Sequence, residues 1–116
     1  MTFSSVLWIA TGSGIASVLP HLLARPNNSH LLWITRSPRD TYGDALVDEI
    51  EGAPASALIW DTTVNGNPDV AGLARQMFGH VHIEATVCIS NRSATRIVVH
   101  DLSARGIPSF GAIWDS

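Results

Sequence analysis

The stretch Val6-Leu7-Trp8-Ile9-Ala10-Thr11-Gly12-Ser13-Gly14-Ile15-Ala16 decides how this chain is read. Its first residues, Val6 to Ala10, form a continuous apolar run, the pattern of a strand covered on both faces. From Ile15 to Ala24 the apolar residues recur at helical spacing instead. The corner between them holds two glycines and two hydroxyl side chains. Glycine lets a chain turn sharply from strand to helix and presents bare backbone N–H groups, with the helix N-terminus behind them. Such a corner suits a phosphate. A Gly-x-Gly pattern alone also describes a plain turn with no ligand, and only its position gives it weight.

Two more apolar runs end in polar residues in the same way: Leu32-Trp33-Ile34-Thr35-Arg36 and Leu58-Ile59-Trp60-Asp61-Thr62. A fourth strand is expected over 83–89 and a short fifth over 109–113. Helices are expected between them. The first, 15–24, is ended by Arg25-Pro26-Asn27-Asn28, and the second, 42–51, is closed by Gly52 and Pro54. The third starts at Pro68 and stops at Gly79, with proline in the first turn. The fourth spans 93–105, capped by Asn91 or Ser93 and stopped by Gly106-Ile107-Pro108. Segment 62–68 reads as a turn-rich connection. This alternation predicts an α/β fold, a three-layer αβα Rossmann-like parallel sheet of about five strands, in a single domain 1–116. Ligands of such sheets lie at the carboxyl edge, near the switch in strand order. Every polar strand end named above lies on that edge.

Composition narrows the partners. The chain of 116 residues is 46% hydrophobic, enough for one core. Net charge is −3, and all seven cationic residues are scattered arginines. That leaves no basic field for nucleic acid or for an acidic membrane surface. No apolar run approaches the roughly 18–20 residues of a membrane span, and the N-terminus lacks a signal-peptide pattern. The expected location is cytoplasmic, or the cytoplasmic face of a membrane for a piece of a larger protein. The lone Cys88 excludes an internal disulfide and reads as a buried, inert thiol. His80, His82 and Glu84 alternate as on a strand, but no fourth ligand accompanies them, and no metal site is expected. Trp8, Trp33 and Trp60 sit inside the apolar runs and read as core filling. His21 and His100 fall on helices without an evident partner.

The segment Ile9-Ala10-Thr11-Gly12-Ser13-Gly14-Ile15-Ala16 resembles the Ala-Thr-Gly-Thr-Gly-Ile-Ala-Pro segment of ferredoxin–NADP reductase-like proteins. In that family it opens the C-terminal NAD(P)-binding domain and receives the pyrophosphate. Arg36-Ser37-Pro38-Arg39-Asp40 and Tyr42-Gly43-Asp44-Ala45-Leu46 resemble the family's Arg-Thr-Pro-Glu-Asp and Tyr-x-Asp-Glu-Leu segments. Thr86-Val87-Cys88-Ile89-Ser90-Asn91-Arg92 stands at the place of a strand ending in Cys-Gly-Pro. The ending Gly106-Ile107-Pro108-Ser109-Phe110-Gly111-Ala112-Ile113-Trp114-Asp115 is similar to that of fungal proteins in which a reductase-like domain closes a longer membrane or multidomain polypeptide. The resemblance covers the whole chain in order. It departs at Ser17, at Ala45 in place of glutamate, and at Ser90-Asn91-Arg92, which replaces Cys-Gly-Pro outright. In the family, that cysteine–glycine pair borders the nicotinamide where hydride passes to a flavin.

The resemblance implies NADP or NAD as cofactor, with FAD on a partner domain. Thr11, Gly12, Ser13, Gly14 and Ile15 are the candidates for the pyrophosphate. Arg36 and Arg39 follow the second strand, where an arginine accommodates a ribose 2′-phosphate and an acid prefers the 2′-hydroxyl. Arginine comes first here, which favours NADP; Asp61 pulls towards NAD. Both arginines equally fit solvated loop positions. Ser90, Asn91 and Arg92 precede a helix, with Asn91 suited to the nicotinamide amide and Arg92 to phosphate, or Asn91 serving as a cap. Trp114 matches the terminal aromatic that stacks on flavin in many family members, or else fills the last strand. The leading expectation is the nucleotide-binding portion of a flavin-dependent NAD(P)H oxidoreductase, inactive alone. The alternative is a degenerate, non-catalytic nucleotide-binding or interaction module. In either case the partner is a flavin-binding domain or larger polypeptide, with Gly14→Val expected to abolish nucleotide affinity and leave the fold intact.

Overall fold

The apolar run at the start of the sequence becomes β1 (Val6–Thr11), the middle strand of a parallel sheet. Beside it lie β2 (Ser29–Thr35), β3 (Ser56–Asp61), β4 (Ala85–Ser90) and β5 (Ser109–Ile113). The five strands follow the order β3-β2-β1-β4-β5, and every adjacent pair is parallel. The computed structural model describes residues 5–78, 83–90, 96, 99–100, 103–104, 106 and 109–113. The α/β Rossmann-like αβα architecture and the strand number agree with the expectation from sequence.

The chain builds outward from β1 to β3, then returns across the sheet to β4. That reversal is the switch in strand order, and it sets the carboxyl ends of β1 and β4 side by side. Ala10 is in register with Ile89, so Thr11 and Ser90 end adjacent strands.

Helices cover both faces. On one, α1 (Ile15–Ala24) and α3 (Asp44–Gly52) pack Ile15, Val18, Leu22, Val47 and Ile50 onto Ala10, Leu31, Trp33 and Ile89. On the other, α5 (Val70–Phe78) brings Leu73 and Ala74 against Leu7, Ile9, Leu32, Ile34 and Cys88. Val99 packs against the same cluster, and Arg96, Val99, His100, Ser103 and Ala104 are helical, within the expected fourth helix. All seven residues of β2 are buried, which is why its middle, 31–34, reads as an unbroken apolar run.

The structure moves several boundaries. β2 starts three residues before Leu32 because its two polar leading residues find partners. Ser29 Oγ donates to the Arg25 carbonyl at 2.8 Å, and His30 Nδ1 lies 2.6 Å from Ser56 Oγ. Desolvation of the His30 ring holds its pKa below the ordinary value of 6.5. The helix expected over 42–51 is two helices, α2 (Pro38–Tyr42) and α3, separated by Gly43 at φ 85°. The connection 62–68 contains a short helix, α4 (Thr62–Asn65), started by the Asp61 side chain and ended by Gly66 at φ 74°. α5 begins at Val70 rather than Pro68, where the Asp69 carboxylate accepts from the Gly72 amide at 3.1 Å. β4 begins at Ala85, not at 83.

Candidate functional site

Two corners form the carboxyl edge of the sheet, and they are built differently. The first follows β1. Thr11 is extended, Gly12 takes φ 53°, and residues Gly12–Gly14 make a single tight 3-10 turn that runs directly into α1. Only glycine adopts that φ cheaply. The Ile15 amide closes the turn on the Gly12 carbonyl. A second donor meets the same carbonyl from below: Trp33 Nε1–H, at 3.0 Å, from the neighbouring strand. Trp33 is fully buried, and its ring meets Tyr42 edge-on at 5.1 Å. The turn is therefore fixed from the core side.

Its outer side is open. A Cβ built on Gly12 meets nothing within 4 Å. Gly12 heads a helical run, so its own amide has no carbonyl behind it in that run to bond. Gly14 has a different role. A Cβ there would stand 3.0 Å from the Ile89 carbonyl oxygen and 3.4 Å from Ile89 Cγ2, so Gly14 permits close packing of the turn on β4. The expectation that Gly14→Val would spare the fold is corrected accordingly: the added branch meets backbone, which cannot move aside. Thr11 and Ser13 are half-buried at the corner, while the Ile15 side chain is only 3% exposed and belongs to the core.

The second corner joins the ends of β2 and β3. Ser37, at φ 44°, is the only non-glycine residue with positive φ among those described. Asp61 Oδ1 holds it there by accepting from the Ser37 amide at 3.0 Å, and the same oxygen accepts from the Thr63 amide at 2.9 Å. Ser37 Oγ and Thr63 Oγ1 are 2.8 Å apart. Partial desolvation pushes the Asp61 carboxyl up, but hydrogen bonds from Ser37, Thr63 and Val64 together outweigh it and leave its pKa lowered. Asp61 is thus the pin between two loops.

Arg39 is likewise engaged by its own chain. Its guanidinium meets Asp44 at 3.0 Å and Asp48 at 2.9 Å on α3, and the hydrogen bonds to those carboxylates raise its pKa. Arg36 is exposed at the end of β2, and its guanidinium has no polar partner among the described residues. An open concavity of about 370 Å³ lies against this corner, lined by Ser37, Pro38, Arg39, Asp40, Asp61, Thr63 and Val64.

Of the residues singled out from sequence, Thr11, Gly12, Ser13, Gly14 and Ile15 share one corner, and Arg36 and Arg39 share the next. The backbone of Ser90 ends β4 beside Thr11. The Ser90 side chain, Asn91, Arg92 and Trp114 lie outside the described residues, as do His80 and His82. Trp33, Ser37 and Thr63 were missed. Nothing distinguishes Trp33 from core filling until the turn and its strand are seen together. Among the described residues no three His, Cys, Asp or Glu side chains gather as a metal would require, and no helix is long and apolar enough to cross a membrane.

Fold and corners define a Rossmann-like domain with a glycine turn at its switch point. Over residues 1–116 the sequence matches the family described as the C-terminal domain of adenylate-forming reductase 03009, and the chain belongs to that family. Adenylate-forming reductases 03009 and 06235 of Coprinopsis cinerea are each 40% identical to it over 114 residues, 98% of this chain. The chain spans only 11% of the length of those relatives. Two structures of the C-terminal domain of a Pyrococcus furiosus hydrogenase share the fold. They superpose with TM-scores of 0.75 and 0.76 at 17% and 16% identity, covering 96% of this chain and 91% and 92% of theirs.

Proposed function

We propose that this reductase-related domain binds NAD(P)H at the Gly12–Gly14 corner and positions the nicotinamide for hydride transfer to a flavin held on another domain or chain. One observation carries the reading. The turn after the central strand is pinned from beneath by Trp33, left-handed at Gly12, open above it, and set where β1 and β4 part company. Backbone amides at such a place favour a diphosphate. The resemblance to ferredoxin–NADP reductase-like sequences and the reductase names of the fungal relatives point the same way.

The residues present fit a dinucleotide. Gly12, Ser13 and Gly14 would hold its diphosphate, and Arg36, whose guanidinium has no polar partner among the described residues, would meet an adenosine phosphate. Ser90, Asn91, Arg92 and Trp114 are assigned to the nicotinamide end on sequence grounds alone. The flavin would supply the hydride acceptor, while this chain contributes position and charge. The second reading, a binding module without catalysis, is favoured by Asp61 and Arg39, whose charges are satisfied internally.

Tryptophan emission followed during titration with NADPH and NADH tests the proposal, because Trp33 lies directly under the corner. A saturable change, tighter for NADPH and lost in Gly12→Val, is expected. No saturable change with either nucleotide overturns it. Binding without NADPH oxidation in the presence of the flavin-bearing partner selects the second reading.

A further inference from the structure

The opposite edge of the sheet carries a second feature. Where β1 and β2 begin, a cavity of about 170 Å³ opens beneath the carboxyl end of α1, walled by Val6, Trp8, His21, Ala24, Arg25 and Asn28, among others. Trp8 stacks on His21 with ring centroids 4.6 Å apart and planes inclined by 15°. Trp8 Nε1 is buried and has no hydrogen-bond partner among the described residues. A buried indole N–H without an acceptor is rare in native proteins and calls for an explanation.

The helix above it is just as unusual. α1 carries no charged residue over its ten positions. Ile15, Val18 and Leu22 pack inward, yet Ala16, Pro20, Leu23 and Ala24 are also apolar and stand exposed, Leu23 by 51%. Their spacing draws a second apolar stripe along the outer side. Ser17 and His21 lie between the two stripes on one side, so the outer one is a separate exposed apolar strip, the kind of surface that marks an interaction face. Pro20 also leaves the Ala16 carbonyl without its helical donor, which removes one bond of the ladder within this stripe.

We propose that this face docks another domain of a longer reductase polypeptide, through an apolar segment bearing a carboxylate. The stripe takes the apolar side chains, and an acid at the mouth of the cavity pairs with Arg25. The cavity is the size of one side chain and too small for a nucleotide. Arg25 is the charged group on its wall, so the complementary partner is acidic. A second copy offers no acid from the same helix. The relatives, in which this domain is 11% of the length, contain ample further polypeptide. The proposal is independent of the nucleotide reading, since the cavity at the end of α1 and the corner at its start lie at opposite edges of the sheet.

Hydrogen exchange tests it, comparing the 116-residue chain with the longer reductase polypeptide that carries the domain. Amides of 16–29 should exchange about ten-fold more slowly in the longer protein, because docking suppresses local opening of the helix. Leu23→Asp with Arg25→Glu should restore the faster rate while leaving the NADPH titration unchanged. Equal exchange in the two proteins overturns the proposal. So does self-association of the 116-residue chain in sedimentation that Leu23→Asp abolishes, since the face would then belong to a second copy.

Discussion

The two carboxyl-edge corners of this molecule contrast in what holds them. The corner after β1 is shaped by backbone: a left-handed glycine, a second glycine flat against Ile89, and one indole donor reaching up from β2. Charged side chains shape the corner between β2 and β3. Asp61 binds two loop amides, and Arg39 bridges α2 to three acids of α3. Their polar capacity is already occupied, whereas the glycine corner faces outward. A charged residue at a ligand-binding edge is therefore weak support for ligand contact until its internal partners are known.

Gly14→Val is the severest way to break the first corner. Its side chain would press on the Ile89 carbonyl, and overpacking of this kind costs about 1–3 kcal/mol. A lower midpoint in urea, alongside lost nucleotide binding, is the expected result. Should stability stay at the wild-type level, the close approach of turn and strand is not structural.

Trp33→Phe is gentler and more selective. It keeps an aromatic ring but removes the donor to Gly12, at a cost of about 1 kcal/mol. Nucleotide affinity should fall along with stability. If affinity is untouched, the indole is core filling and nothing more.

The arginines sharpen the contrast. Arg36→Ala should weaken NADPH binding several-fold and spare NADH, whereas Arg39→Ala should change neither greatly, because its charge serves α3. Equal losses for both substitutions would erase the distinction between a free and an engaged cation.

A smaller effect separates β2 from both corners. His30 has a lowered pKa, so the unfolded chain takes up a proton before the folded one does. Stability should be flat above pH 6.5 and decline as the pH falls below it, and His30→Gln should flatten that decline. Asp61, with its pKa also lowered, adds a separate loss only below about its ordinary value of 3.8. Melting temperatures between pH 5 and 8, about the range in which histidine titrates, isolate the first effect.

Much of the fold was legible without coordinates. Continuous apolar runs identified the first three strands because both faces of a parallel sheet are covered. Glycine and proline marked the helix ends, and 15–24 was placed without error. His30 hid the start of β2, since a polar residue inside a strand looks like a loop until Ser56 is seen beside it. The glycine corner was legible as a candidate, and the structure sets it after the central strand, at the switch in strand order.

Periodicity, glycine placement and the run of apolar segments were enough to set an αβα layout, because they act over a few neighbouring residues. Which charges are internally satisfied, why Gly14 leaves so little room for a side chain, and what pins Gly12 were decided only in three dimensions. Those answers depend on partners such as Ile89 for Gly14 and Trp33 for Gly12, far along the chain, and local sequence carries no record of who will meet whom.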